Sequence, residues 1–315
     1  MKSPWMHKRI GLALGAGGAR GLAHIGVLKV FEQEAIPIHV LTGTSIGSLV
    51  GGAYASGIGI AEMEKKIDEY LNSPEFQSSV FKALEKRSKL DKAGLARKIE
   101  SFFKDRFQLA HAMFSPGLLS KEDFQSTINH FIPDIEIQET RIPFRAVATD
   151  LITGEQIVFS RGSLREAVLA SCAVPGTIQP VREGERLLAD GGIICLVPIT
   201  VARKEGADIV IAVAVGKDIC LEKEIRTASD IYFRARELMS HYLENYELME
   251  ADVVIRPDVK DLHWADFSHA KNLIQEGEKA ARENLDNIRH AMPGLKKWFT
   301  LKHILELRRK KEHKP

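Results

Sequence analysis

Three groups in this chain have the chemistry to cleave an ester together. They are a serine at the apex of a glycine-flanked turn, a glycine-rich loop that can hold negative charge, and an aspartate delivered into a pair of glycines. The serine is Ser45 in Gly43-Thr44-Ser45-Ile46-Gly47, where the apolar run Val40-Leu41-Thr42 meets a helical pattern of small residues, Gly47, Ser48, Gly51, Gly52, Ala53 and Ala55. A Gly-x-Ser-x-Gly turn lifts its hydroxyl above a sheet because the central backbone is strained and the two glycines let strand and helix pass without Cβ clashes. The pentapeptide alone is a weak signal; the buried strand before it and the close-packing helix after it strengthen it. The loop is Gly15-Ala16-Gly17-Gly18-Ala19-Arg20-Gly21. A dinucleotide fingerprint would need glycine where Arg20 stands, and no Gly-x-x-x-x-Gly-Lys-Ser/Thr element is present here. What remains is a row of free backbone N–H groups at a helix N-terminus, suited to an anion or an oxyanion.

An attacking serine hydroxyl needs a base to take its proton and N–H donors for the oxyanion. The base is where readings divide. A Ser, Asp, His order would draw on His241, His263, His269 or His290, none of which sits between a strand end and a glycine turn. Asp190, at the end of Leu187-Leu188-Ala189 and before Gly191-Gly192, is better placed, although an aspartate before two glycines is also an ordinary turn. Residue types alone leave both the dyad and the triad open.

These groups need elements to position them. Ile10–Leu14 reads as a strand, Leu22–Phe31 as a helix and the Val40 run as the next strand. That β-loop-α-β unit brings the glycine loop and Ser45 to one edge of a parallel sheet. Helices are expected at Gly59–Leu71, Lys121–Phe131, Leu164–Ser171 and Ala270–His290, the last with Ser268 as N-cap. Phe144–Thr149 and Gln156–Phe159 read as a hairpin about Thr153-Gly154, and Ala207–Val215 as a buried parallel strand, with Val253–Arg256 at an edge. A long helix is expected beyond Ile225, with Ile231, Ala235, Leu238, Met239, Tyr242 and Tyr246 on one face. The alternation predicts a mixed, mainly parallel sheet with helices on both faces.

The 315 residues fit one large α/β domain with decorations, and a net charge of +2 gives no reason to expect nucleic acid. Cys172, Cys195 and Cys220 have neither metal-ligand nor disulfide spacing, so reduced thiols and no metal are expected. Ile10–Ala19 is too rich in glycine for a signal-peptide core and reads as strand plus loop. No apolar run reaches the roughly 18–20 residues that span a bilayer, so membrane contact would be peripheral. Residues 82–106 hold nine Lys or Arg against four acids, read as a solvated helical insert with a lid or membrane-touching element as the competing reading. Residues 296–314 hold eight against two, with Trp298, Leu301, Ile304, Leu305 and Leu307 at helical spacing, a pattern suited to an anionic lipid surface or to a surface-docked helix.

Taken together, Gly15–Gly21 with Ala23-His24-Ile25, Gly43–Gly47, Ala148-Thr-Asp-Leu-Ile-Thr-Gly-Glu155, Ala170-Ser-Cys-Ala-Val-Pro175 and Asp190-Gly-Gly192 resemble the patatin-like phospholipases, particularly their compact bacterial branch. Order and spacing match from about residue 8 to residue 216. The resemblance implies a three-layer α/β/α fold and a Ser45–Asp190 dyad without histidine. It also implies an oxyanion loop at Gly17 and Gly18 that Arg20 helps to hold. Hydrolysis of phospholipids or other acyl-ester lipids through an acyl-enzyme follows, with no metal or organic cofactor. Ala16 departs from the family's pattern, which often has glycine there; a methyl is tolerable if that backbone avoids positive φ. The expected organisation is a hydrolase domain over 8–292 and a basic amphipathic tail over 293–315, in the cytoplasm and peripheral to the inner face of the membrane. Two other readings compete: a non-catalytic lipid- or partner-binding regulator, and an acyltransferase.

Overall fold

The computed structural model describes residues 8–90, 117–222 and 225–292; residues 91–106 of the basic insert and the whole tail at 293–315 lie outside them. Eight strands form one sheet: β1 (Ile10–Leu14), β2 (Val40–Thr44), β3 (Phe144–Asp150), β4 (Gln156–Phe159), β5 (Val181–Glu183), β6 (Arg186–Asp190), β7 (Ile209–Val213) and β8 (Val253–Ile255). Their order is β5-β6-β3-β2-β1-β7-β8, with β4 also paired to β3. Strands β8, β7, β1, β2 and β3 run parallel, while β4 and β6 are antiparallel to β3 and β5 is antiparallel to β6. The sheet is therefore mixed and mainly parallel, as the alternation predicts.

Eleven helices appear among the described residues: α1 (Ala23–Gln33), α2 (Ile46–Ser56), α3 (Ile60–Asn72), α4 (Pro74–Gln77), α5 (Val80–Leu90), α6 (Lys121–Phe131), α7 (Leu164–Ser171), α8 (Ile199–Lys204), α9 (Ala228–Leu248), α10 (Ala270–Glu283) and α11 (Leu285–Ala291). The two-residue period of the strands sorts side chains into two cores. Leu12, Leu14, Leu41, Ile211 and Val213 pack with α1, α2, α7 and α10 on one side. Ala13, Val40, Val210 and Ala212 pack with Ile199 and Ala202 of α8 and with Leu248 of α9 on the other. This gives the three-layer α/β/α architecture.

The expected helix over 270–290 is two helices broken at Asn284, whose N–H bonds back to the Ala280 and Ala281 carbonyls. Ser268 is not its N-cap: Asp266 caps a short 3-10 turn there, accepting from both the backbone N–H and the hydroxyl of Ser268. The β5 strand that pairs with β6 about Gly184 has no counterpart in the sequence reading, because three residues are too few to carry a period. Helix α9 opens on a capping box in which Thr227 and Asp230 satisfy each other's N–H groups at 3.1 and 2.7 Å. Its apolar face is turned away from the sheet.

Candidate active site

Register alone brings Ser45 and Asp190 together. Strand β2 pairs with β3 from Leu41–Phe144 to Thr44–Val147 and then ends. Strand β6 takes its place along the same edge of β3, pairing Asp190 with Ala148, while β4 occupies the opposite edge. The last residue of β6 thus arrives one register step beyond the last residue of β2, next to Ser45.

Ser45 sits at φ 56°, ψ −127°, a conformation that costs a non-glycine residue on the order of 1–3 kcal/mol. Hydrogen bonds hold it there. Its N–H donates to Ser171 Oγ at 3.0 Å, and its carbonyl accepts from the Ser48 N–H and the Ser48 hydroxyl, both at 2.7 Å. The flanking glycines are required by close approach, since both lie outside the positive-φ region. A methyl at Gly43 would overlap the Gly47 carbonyl, and one at Gly47 would overlap that of Leu14.

Asp190 is buried; its carboxylate accepts from the Gly192 N–H at 2.7 Å and lies beside the Ser45 hydroxyl, which favours its ionised form. Its backbone is fixed by the Ala173 carbonyl at 2.9 Å and the Thr149 hydroxyl at 3.0 Å. Burial pushes its carboxyl up to about 6, against the opposing pull of Ser45, Gly192 and the Arg236 charge. An aspartate held there keeps a proton readily and is still largely ionised at neutral pH.

The glycine loop follows β1 on the neighbouring strand, where Leu14 pairs with Gly43. Its Gly15, Ala16 and Ala19 N–H groups donate to the carbonyls of Val213, Leu196 and Trp264 at 3.0, 2.8 and 2.6 Å. Those of Gly17 and Gly18 find no acceptor among the described residues. Gly18 is at φ +59°, and a Cβ there would overlap the Trp264 carbonyl. Arg20 Nε donates to the Gly17 carbonyl at 3.1 Å, with Glu244 and Glu237 opposing the effect of its desolvation. Ala16 avoids positive φ, so the departure from the family's glycine is accommodated.

His24 is a constituent of the site that residue-by-residue reasoning passed over. Fully buried, it donates from Nε2 to the Gly15 carbonyl at 2.8 Å, and burial lowers its pKa to about 4, so the ring is neutral. It braces the loop. Ser171, Trp264 and Glu244 were also missed, since each acts through a contact made across the fold. Of the late histidines, His241 bonds Asn245, His290 bonds the Asp286 carbonyl, His269 faces Asp266 and His263 accepts from the Ala265 N–H; none is paired with Ser45 or Asp190. Cys172 and Cys195 are buried free thiols whose pKa values burial raises, so neither is an activated nucleophile.

A family model described as patatin-like phospholipase matches residues 12–203, more than half of the chain. The chain belongs to the patatin-like phospholipase family. An uncharacterized NTE family protein of Mycobacterium tuberculosis is 34% identical over 65% of this chain and 49% of its own length. Patatin-like phospholipase domain-containing protein 6 of Homo sapiens is 31% identical over 66% of this chain and 13% of its own. The neuropathy target esterase sws of Drosophila melanogaster is 30% identical over the same shares. The chain thus spans about half the length of the mycobacterial relative and a small part of the animal ones. Among solved structures, VipD from Legionella pneumophila aligns over 90% of this chain and 67% of its own at a TM-score of 0.44 and 16% identity. No helix among the described residues is long and apolar enough to cross a membrane.

Proposed function

We propose that this chain is a serine acyl hydrolase that cleaves carboxylic esters of lipids, phospholipids or lysophospholipids among them, by a Ser45–Asp190 dyad. One observation carries the reading: the hydroxyl of a serine in a strained, hydrogen-bonded turn lies beside a buried carboxylate that two strand ends bring to it. The animal relatives, one named for a phospholipase domain and one for an esterase, support the substrate class.

In the first half-reaction Ser45 Oγ attacks the ester carbonyl carbon as its proton passes to Asp190. The carbonyl electron pair moves onto oxygen, and the free N–H groups of Gly17 and Gly18 stabilise that charge. Each such donor is worth roughly a hundredfold to a thousandfold in rate. The N-terminus of α2 adds about 0.3–1 kcal/mol toward negative charge at the turn. Collapse expels the alcohol, which takes the proton from Asp190, and leaves an acyl-serine. Water then gives a proton to Asp190 and attacks the acyl group; the fatty acid leaves and Ser45 recovers its proton. A pKa of about 6 makes Asp190 a better base than an ordinary aspartate while leaving it mostly ionised at pH 7. Arg20 and His24 act behind the loop, on the Gly17 and Gly15 carbonyls. On the same reading residues 8–292 form the hydrolase domain, and residues 293–315 are a basic amphipathic segment appended to it, at a membrane surface on the cytoplasmic side.

A fluorophosphonate probe should label the wild type and spare Ser45→Ala, and a phospholipid and lysophospholipid panel should lose turnover in both Ser45→Ala and Asp190→Asn. Full turnover in Asp190→Asn, or its loss in His241→Ala or His290→Ala, would refute the dyad.

A further inference from the structure

Helix α9 is amphipathic with its faces reversed. Its inner side meets the body through charge: Glu244 accepts from the Gly216 N–H at 3.1 Å, Glu247 from the Val197 N–H at 2.8 Å, and Glu237 pairs with Lys217 and Arg234. Leu248 is its one buried apolar residue. Its outer side carries Ile231, Ala235, Met239, Tyr242 and Tyr246, continued by Met249, at steps of three and four residues. That spacing is one unbroken stripe roughly 27 Å long at 1.5 Å per residue. Met239, Tyr242, Tyr246 and Met249 are 71%, 71%, 70% and 71% exposed, and Tyr232 and Phe233 flank the stripe at 66% and 61%. At about 200 Å² per side chain, the stripe with Tyr232 exposes on the order of 800 Å². The largest patch on an ordinary monomer is about 300–600 Å². A free aqueous surface does not account for a face of this kind.

We infer that this outer face of α9 is the surface by which the protein lies on a lipid interface and presents the active site to it. The inference rests on the lipid-hydrolase reading and adds to it the element that finds the substrate. Charge selects this occupant. Every acid between Ile231 and Met249 is turned inward, and Arg236 is the one exposed charged residue there, so the face is apolar to weakly cationic, as an anionic lipid surface requires. Tyrosine rings, with apolar bodies and polar tips, suit the headgroup boundary. The helix also adjoins the segment that follows Asp190: Glu247 accepts from the N–H of Val197, seven residues on, and the Arg236 charge favours the ionised Asp190 carboxyl. Ile193 and Ile194, directly after Asp190-Gly191-Gly192, are exposed as well.

The test is co-sedimentation with phosphatidylcholine vesicles, alone or mixed in equal parts with phosphatidylglycerol. It compares Ser45→Ala, which cannot digest them, with the same protein carrying Met239→Glu and Tyr242→Glu. The added substitutions should weaken binding to the mixed vesicles by at least about tenfold. In the catalytically intact background they should leave hydrolysis of a short, water-soluble ester within about twofold while vesicle lipolysis falls, with far-ultraviolet circular dichroism unchanged. Unaltered vesicle binding overturns the inference. So does light scattering in which the parent is a dimer and the variant a monomer, which would assign the face to a second copy of the chain. Failure of the wild type on the soluble ester would instead count against the hydrolase reading and leave the binding comparison standing.

Discussion

Replacing Asp190 by Asn should abolish ester hydrolysis and at the same time make the protein more stable. Asparagine keeps the oxygen that accepts from the Gly192 N–H and can still bond the Ser45 hydroxyl, so the substitution removes little but the buried charge. Burial raises this carboxyl from the ordinary 3.8 to about 6. Two units at 1.36 kcal/mol each come to about 3 kcal/mol of destabilisation carried by the ionised form. The sign follows from proton binding. Between pH 4 and 6 the folded chain holds a proton that the unfolded chain has released, so the contribution of this group is greatest below about 4 and is lost as pH rises through about 6. Asp190→Asn should therefore gain about 3 kcal/mol at pH 7, or about 5 °C in melting temperature for a chain of this length, with the gain vanishing toward pH 4. Scanning calorimetry of both proteins at pH 4, 5, 6 and 7 measures it. An asparagine variant no more stable than the wild type at pH 7, or equally more stable at every pH, would refute the desolvation argument.

For the wild type, kcat/KM on a soluble ester should climb about tenfold per pH unit below about 6 and level off above, since the base must be ionised; a flat profile from pH 4 to 7 contradicts this. His24 works in the opposite sense. Its pKa is depressed from 6.5 to about 4, so its contribution is complete above about 6.5 and is lost as pH falls toward 4. That loss is about 3 kcal/mol, and His24→Gln should flatten it in urea denaturation series at pH 4 to 7. Gly18→Ala should cut turnover by more than about a hundredfold while leaving a folded protein, because the Trp264 carbonyl and a positive φ together forbid the methyl without moving the loop; unimpaired kinetics would deny that loop its role.

The parts of the site that were legible from the residues are those with local signatures. Ser45 stands in a strand-turn-helix pattern, the loop has its glycines in sequence, and Asp190 ends an apolar run. The helices at Lys121–Phe131 and Leu164–Ser171 have the bounds expected of them, and the structure shows Ser120 and Ser163 capping their starts. What stayed hidden was mutual position. Nothing local in Val181–Glu183 announces a strand, and without that hairpin the antiparallel arrival of Asp190 cannot be foreseen. The bracing by His24, Ser171, Glu244 and Trp264 depends on partners up to 245 positions away along the chain in the case of the Ala19–Trp264 contact. Helix α9 misleads for a related reason: periodicity locates an apolar face but carries no information about which way it points.

The handover along the edge of β3 separates the placement of Ser45 and Asp190 from the length of chain between them. Ser45 and Asp190 are spaced by backbone pairing to a common strand, much as two marks are spaced by one ruler. Outside α2 and the Ser171–Ala173 segment, the surface stretches between the end of β2 and the start of β3, and between β3 and the β5–β6 hairpin, can lengthen or shorten without altering that spacing. A scaffold built this way tolerates insertions between Ser45 and Asp190, and that tolerance makes the intervening surface stretches the natural place to vary what lies around an unchanged pair.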